Sequence, residues 1–358
     1  MGSSDRDDSR DSEHVALGEP VDVDVVDLVA RISAMADIGW LGTGPISGRR
    51  CAGASAISTP TRRVPVQLRS THNVGGVTDT FFAAPEIRSV NGTDVEWFTP
   101  NDHTRGPWDA EACHAGPPTG LLVRAMERAL PNVRLARITV DLAKPVPMAG
   151  FHIGAEVTRH GRTVGATRAA IIDVSGVVRA TAIGIHIATQ DEPILDGPLD
   201  NSGLVMPTLS EAIPGVFPIR PPMRHGLPGF SGAAVRMRYP PGETPDPGAT
   251  TTWMNTDPLL PDETPSPFQR ICPLADCGNA FSRHTDPDEV MFMNPDLTIA
   301  LHRDPVGEWL GSRSVSQWQP TGIGLADAAL FDDEGLVGCA LQTMILRRAD
   351  GRRSVAPA

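Results

Sequence analysis

The chain has 358 residues, of which 40% are hydrophobic and 21% are charged, a composition typical of folded globular proteins. Its formal net charge of −12 disfavours binding to nucleic acid or to anionic membranes, because the long-range field repels polyanions. No stretch approaches 18 consecutive apolar residues, so no membrane-spanning helix is predicted. The five cysteines are an odd number, which argues against a disulfide framework, and we expect a cytoplasmic protein.

The first part of the chain is predicted to be a poorly ordered extension over residues 1–75. Its start is polar and acidic, and the stretch after it is rich in Gly, Ser, Pro and Arg. A strand is then predicted over 81–90, and a helix opens at Pro117 and Pro118 and ends before Pro131. Alternating apolar residues predict four more strands, over 136–142, 151–158, 163–173 and 177–188.

A proline-rich connector is predicted over 191–232, between one domain at 76–190 and a second at 233–348. Residues 349–358 are left as a tail. The elements predicted in the second domain are strands over 233–239 and 250–255, a helix over 266–284 with a break at Pro273, and strands over 297–303, 308–317, 324–332 and 336–347. Because both domains repeat the order strand, helix and antiparallel strands, we expect an α+β fold that arose by duplication.

Several short motifs occur in the same order as in a known family. In the first domain, GPW at 106–108 is followed by CHAGPP at 113–118, where the predicted helix starts. In the second, DLTIALHR at 296–303 precedes three motifs: EWL at 308–310, GLA at 324–326 and ALQ at 340–342. Together they resemble the double-hotdog acyl-CoA thioesterases of the bacterial thioesterase II type. The resemblance implies a tandem hotdog fold, with a central helix in each half wrapped by a curved antiparallel sheet.

The resemblance also implies which residues form the catalytic site. Members of the family hold a water molecule with an Asp on the second helix, a Ser or Thr near the following strand and a Gln on the last strand. The matching residues are Asp276, Asn294 and Gln342. Asn294 departs from the expected hydroxyl, and Thr298 is the alternative candidate.

Two residues at the start of the first helix, His114 and Gly116, are expected to contact the substrate together with Thr298. For His114, the residue pattern by itself favours a structural role. No residue is assigned to the CoA moiety, because the predominance of arginine over the single lysine, Lys144, is more simply explained by codon usage.

The function implied is hydrolysis of fatty acyl-CoA to free fatty acid and CoA through a positioned water, with no metal and no cofactor apart from the CoA of the substrate. In that mechanism Asp276 takes a proton from the water, Gln342 holds the water, and a backbone N–H at a helix start meets the developing negative charge. The alternative is a catalytically weak acyl-CoA or lipid-binding protein, which Asn294 supports. Assembly of copies through the hotdog sheets is left open.

Other chemistries find weaker support in the sequence. Cys272, Cys277 and His284 have the residue types of a metal site, but a second ligand pair is missing from the pattern. Cys113 and His114 are adjacent, so their side chains diverge and do not suit a nucleophile and its base. A hotdog hydratase would need an Asp and a His on one helix and its adjoining loop, and the sequence shows no such pair. Serine-hydrolase, P-loop and dinucleotide motifs are absent from the sequence.

Overall fold

The computed structural model of the chain describes residues 79–190, 192–219 and 225–349, which all belong to the unit His72–Ala358. The predicted extension over 1–75 lies outside the described residues, as does the predicted tail apart from its first residue. Among the described residues, no helix is both long enough and apolar enough to cross a membrane.

Antiparallel strands make up most of the described chain. The elements before residue 190 are β1 (Glu86–Val90), β2 (Thr93–Phe98), α1 (Gly116–Ala129), β3 (Arg134–Asp141), β4 (Phe151–His160), β5 (Val164–Asp173) and β6 (Val178–Ile187). Those after it are β7 (Ile213–Gly215), β8 (Val235–Tyr239), β9 (Thr250–Thr256), α2 (Pro267–Ala275), α3 (Gly278–Phe281), β10 (Val290–Met293), β11 (Asp296–Leu301), β12 (Leu310–Trp318), β13 (Ile323–Asp332) and β14 (Gly335–Arg348).

The strands form one large sheet in the order β1-β2-β4-β5-β6-β3-β11-β14-β13-β12-β9-β8-β7, with β10 paired to β14 beside this path. Neighbouring strands are antiparallel throughout the described part. The first half joins the second where β3 pairs with β11, with Thr139 opposite Thr298. The antiparallel sheet with its few helices agrees with the predicted α+β class.

Helix α1 packs on β3, β4, β5 and β6, whereas α3 packs on β12, β13 and β14. The apolar face of α1 supplies Leu122 and Met126 to the core, both fully buried. Helices α1 and α2 also pack on each other at very close range. A Cβ atom added at Gly116 would lie 2.8 Å from the Cα of Pro273, so only glycine fits there.

The structure corrects several element predictions. The second helix does not break at Pro273, which stays inside α2; the chain leaves the helix at Asp276 and re-enters one at Gly278. The strand predicted over 81–90 starts only at Glu86; residues 81–85 form an irregular segment in which Phe81 and Phe82 are buried. Strands β2, β7 and β10 were not predicted, and β7 lies within the predicted connector and pairs with β8.

Candidate active site

Helix α1 begins without a side-chain cap, because its N-cap residue is Ala115. After Gly116, the next two residues, Pro117 and Pro118, have no backbone N–H to donate. The N–H groups of Ala115 and Gly116 are therefore the donors that this helix end offers. Both approach the carboxyl group of Asp276, which belongs to the other half of the chain, and the N–H of Gly116 also donates to His114 Nδ1 at 3.3 Å.

Asp276 reaches this helix end because it is the C-cap residue of α2, at the break before α3. Its Oδ1 accepts hydrogen bonds from Asn294 Nδ2 at 2.9 Å and from Gln342 Nε2 at 3.2 Å. Its Oδ2 lies 3.1 Å from His114 Nδ1, and its side chain is only 4% exposed. Burial raises the pKa of Asp276 to about 7, while the hydrogen bonds from its amide and N–H donors oppose that rise.

The imidazole ring of His114 is held by a stacking contact with an aromatic ring. Its ring stacks on Phe230 with 3.9 Å between centroids and 13° between planes. Burial lowers the pKa of His114 to about 3, so its imidazole is neutral at neutral pH. Nδ1 faces Asp276 and the N–H of Gly116, while Nε2 has no partner among the described residues. The residue pattern favoured a structural role for His114, but the geometry brings it to the carboxyl group of Asp276.

A layer of amides lies around Asp276. Gln342 donates to the carbonyl oxygen and to Oδ1 of Asp276, and its Oε1 accepts the N–H of Asn279 at 3.0 Å. Asn279 Nδ2 donates to Asn294 Oδ1 at 3.1 Å. Gln342 is 1% exposed, so it lies behind Asp276, whereas Asn279 and Asn294 reach the cavity described below. Asn279 was missed at the sequence level, since a single Asn carries no distinguishing pattern.

The other two candidate residues, Gly116 and Thr298, lie in different parts of the structure. Gly116 lies in the cluster, through its N–H and through its close contact with Pro273. Thr298 does not: its hydroxyl lies 3.1 Å from that of Thr139, where β11 pairs with β3. Thr298 therefore does not replace the expected hydroxyl at Asp276. Asn294 takes that position and donates to Asp276 through its amide.

The Asp276 cluster forms one wall of a cavity of about 550 Å³. Most of its lining is apolar and includes Trp108, Phe217, Met291, Phe292 and Ile345. The charged side chains in the lining are Asp109, Lys144 and Asp276. A mainly apolar cavity with a few converging polar groups suits a ligand that combines a hydrocarbon chain with a reactive polar group.

The cysteines support neither a nucleophilic thiol nor a metal site. Burial raises the pKa of the Cys113 thiol, which keeps it from forming a nucleophilic thiolate. The thiols of Cys272 and Cys277 donate to backbone carbonyl groups of their own helix turn. In the part of the chain that the structure describes, no group of three or more His, Cys, Asp or Glu side chains is placed to hold a metal ion.

Comparison with solved structures shows the same fold in three bacterial proteins of low sequence identity. A protein described as a thioesterase II from Thermobifida fusca YX is 17% identical, with a TM-score of 0.56 over 74% of this chain and 96% of its own. A hot dog fold protein of unknown function from Alicyclobacillus acidocaldarius is 16% identical, with a TM-score of 0.55 over 75% and 96%. A protein described as a thioesterase from Novosphingobium aromaticivorans DSM 12444 is 17% identical, with a TM-score of 0.53 over 70% and 95%.

Two family models match the sequence itself. The acyl-CoA thioesterase N-terminal domain matches residues 104–185, and the acyl-CoA thioesterase C-terminal domain matches residues 211–346. No curated protein matches the chain. The two domain models occur in the order that the sequence motifs predict, and the chain belongs to the double-hotdog acyl-CoA thioesterase family.

Proposed function

We propose that this protein hydrolyses fatty acyl-CoA to free fatty acid and CoA, with a role in fatty acid metabolism. The observation that carries the proposal is the pair of Asp276 and His114 in the wall of an apolar cavity. A thioester carbonyl needs a base-activated water, a donor for the oxyanion and a site for the acyl chain, but no metal. The pair supplies the base and the apolar lining supplies the acyl site.

His114 is the member of the pair that would contact the water. Asp276 accepts from Asn294, Gln342 and two backbone N–H groups, which uses about four lone-pair positions of a carboxylate, and its Oδ2 lies 3.1 Å from His114 Nδ1. His114 is more exposed than Asp276, at 13% of its side chain, and its Nε2 is unpartnered among the described residues. Asp276 thus orients the imidazole. As Nε2 takes the proton of the water, Nδ1 passes its own proton to Asp276, so the imidazole stays neutral and Asp276 holds the proton.

The protonation of Asp276 would switch this base on and off. An ionised Asp276 accepts a hydrogen bond from Nδ1–H, which leaves Nε2 with a free lone pair for the water. A protonated Asp276 instead donates to Nδ1, and the ring then carries its own proton on Nε2. Because burial holds the pKa of Asp276 near 7, the active form gains population as the pH rises through that value.

The oxyanion would be met by Asn279. The backbone N–H groups at the start of α1, the donors expected for this role, already bind Asp276. Asn279 Nδ2 has two hydrogens, of which one goes to Asn294, and the residue lines the cavity. Its second N–H is available to a carbonyl oxygen that gains charge. Gln342 becomes a positioning residue that holds Asp276 and does not contact the water.

The alternative of a weak acyl-CoA or lipid-binding protein rested on Asn294 in place of a hydroxyl. In the structure Asn294 gives Asp276 a hydrogen bond of 2.9 Å, so this position still serves the carboxyl group without a hydroxyl, which weakens this alternative. The hydratase alternative required an Asp and a His on one helix and its loop. Asp276 and His114 come from different halves, so they do not meet this requirement.

The same proposal includes the domain boundaries, the cellular compartment and the assembly of copies. We divide the chain into hotdog domains over 76–190 and 233–348 around the connector at 191–232, each with a helix that packs on its own strands. Free thiols at the described cysteines fit a reducing compartment such as the cytoplasm. Assembly of copies through the sheets stays a prediction.

The experiment is a free-thiol release assay with acyl-CoA substrates of short, medium and long chain. We expect wild-type protein to release thiol from at least one chain-length class. Thiol release from none of them, together with binding of acyl-CoA, would favour the lipid-binding alternative. Addition of water to an enoyl-CoA without thiol release would favour a hydratase.

A further inference from the structure

Lys144 is the single lysine among the 31 basic residues of the chain, and it lines the same cavity as Asp276. The other charged residues in that lining, Asp109 and Asp276, are both acidic. The Lys144 side chain is exposed and makes no ion pair or hydrogen bond with another described residue. Lys144 therefore places a positive charge at a mainly apolar cavity in a chain with a net charge of −12.

The backbone that carries Lys144 is held firmly although its side chain is free. The N–H of Leu142 donates to the carbonyl of Pro295, and the N–H of Lys144 donates to the carbonyl of Arg179. The carbonyl of Val146 accepts the N–H of Cys113. These bonds tie the loop between β3 and β4 to three other parts of the structure, so the ammonium group starts from a fixed point beside the cavity.

The guanidinium groups of two arginines in this region are already paired with other groups. The guanidinium group of Arg179 is paired with Asp173, which is 3% exposed and accepts two backbone N–H bonds as well. Arg105 is likewise engaged with Asp102 and with the carbonyl groups of Ala110 and Pro228. Lys144 is the cation of this cavity whose charge is not already neutralised within the described residues.

We propose that Lys144 binds a phosphate group of the thiol carrier of the substrate, at the side of the cavity where the carrier leaves the protein. The proposal rests on the proposed function, because it takes the acyl thioester to lie in the cavity with its carbonyl at Asp276 and His114. A lysine ammonium is a compact point charge that suits a phosphate oxygen. Phosphates occur in CoA and in a protein-bound phosphopantetheine arm, and the shared group is a pantetheine-linked phosphate.

The experiment compares three thioesters with the same acyl chain: acyl-CoA, acyl-phosphopantetheine and acyl-pantetheine, the last of which has no phosphate. In Lys144→Gln we expect KM for acyl-CoA to rise about five- to tenfold with kcat unchanged, the size of one exposed charge-assisted contact. Acyl-pantetheine should show no change. Acyl-phosphopantetheine then tells whether the pantetheine phosphate or the nucleotide phosphates are recognised. The effect should shrink as salt is added, because exposed charges are screened.

The control is Arg313→Gln, which removes the same charge from an exposed position on β12 outside the cavity. It should leave all three KM values unchanged. An equal change of KM for acyl-CoA and acyl-pantetheine in Lys144→Gln would overturn the proposal, as would no change for either.

Binding of free CoA by titration calorimetry separates this proposal from the proposed function. We expect the Kd of CoA to rise about five- to tenfold in Lys144→Gln and the Kd of pantetheine to stay constant. If wild-type protein hydrolyses no thioester but shows this binding difference, the hydrolase function fails and the phosphate site stands. If it hydrolyses thioesters and the CoA affinity does not depend on Lys144, the phosphate site fails alone.

Discussion

Two carboxyl groups, a buried one on Asp276 and a half-buried one on Glu127, lie at opposite ends of the packed pair of helices α1 and α2. Asp276, at the end of α2, meets the first turn of α1; Glu127, in the last turn of α1, meets the first turn of α2. Glu127 accepts from Ser266 Oγ at 2.8 Å and from Gln269 Nε2 at 2.7 Å. Burial raises the pKa of Glu127 as it does that of Asp276.

The difference between the two ends lies in how each helix is capped. Helix α2 starts at Ser266, whose hydroxyl accepts the N–H of Gln269, so this helix satisfies its own first turn. Helix α1 starts at Ala115 and has no such cap. Its free N–H groups bind Asp276, beside an open cavity and a histidine. The helix end without a side-chain cap therefore lies at the candidate active site, and we expect the capped end to have a structural role.

The largest expected effect comes from the two residues of the catalytic pair. Asp276→Asn and His114→Asn should each lower kcat by about 10²- to 10⁴-fold in a thiol-release assay, the range of positioned acid–base catalysis. The double variant should lose little more than the worse single variant, because the two residues act as one base. The matched control is Glu127→Gln, which should change kcat by less than about twofold. Equal losses from Glu127→Gln and Asp276→Asn would show that the two ends do not differ.

The second expected effect is a pH dependence of kcat/KM that is set by Asp276 and not by Glu127. Because the ionised form of Asp276 is required and its pKa is held near 7, kcat/KM should fall about tenfold per unit below that pH. Glu127→Gln should keep the same profile. A rate that is flat between pH 5 and 8 would show that Asp276 does not set the state of the base.

A smaller loss is expected when the donor from Asn294 is removed. Asn294→Ala should lower kcat about tenfold or more, since a hydrogen bond to an ionised group contributes about 1.5–3 kcal/mol. Asn294→Thr should retain most of the activity, because its hydroxyl can donate to Asp276. If Asn294→Ala is as active as wild type, the amide layer around Asp276 has no part in catalysis.

The smallest effect tests the packing of the helix start. In Gly116→Ala the new Cβ would lie 2.8 Å from the Cα of Pro273, so we expect a loss of about 1–3 kcal/mol in the free energy of unfolding, measured with urea. Gly154→Ala is the control, because its Cβ would meet no atom within 4 Å. Equal stability of both variants would contradict the close contact of α1 and α2.

Most strands could be predicted because one face of the sheet is buried, which gives the strands an alternating pattern of apolar and polar residues. β5 starts one residue later than predicted, and β6 is one residue shorter than predicted at each end. β10 is only four residues long and follows a turn, so its pattern is too short to read. The sequence predicts the break in the second helix at Pro273, because proline disfavours helix interiors, but Pro273 stays helical and α2 ends two residues later, at Ala275.

The site could be predicted only in part, for a geometric reason. Asp276 and Gln342 stood out through a family resemblance, but their hydrogen bond to each other needed the structure. The pairing of His114 with Asp276 joins the two halves of the chain, and no local pattern connects residues so far apart. Lys144 was noted as the single lysine, yet its place beside the cavity follows from the fold alone.

The claim that a water activated at the Asp276 and His114 pair attacks the thioester can be tested by one single-turnover experiment in water enriched in ¹⁸O. Protein in excess over acyl-CoA is allowed to react once, and the fatty acid and the intact protein are analysed by mass spectrometry. A direct attack by water predicts ¹⁸O in the fatty acid of the first turnover and no acyl adduct on the protein. An acylated Asp276, or a first-turnover fatty acid without ¹⁸O, would contradict the account and indicate a covalent intermediate on the carboxyl group.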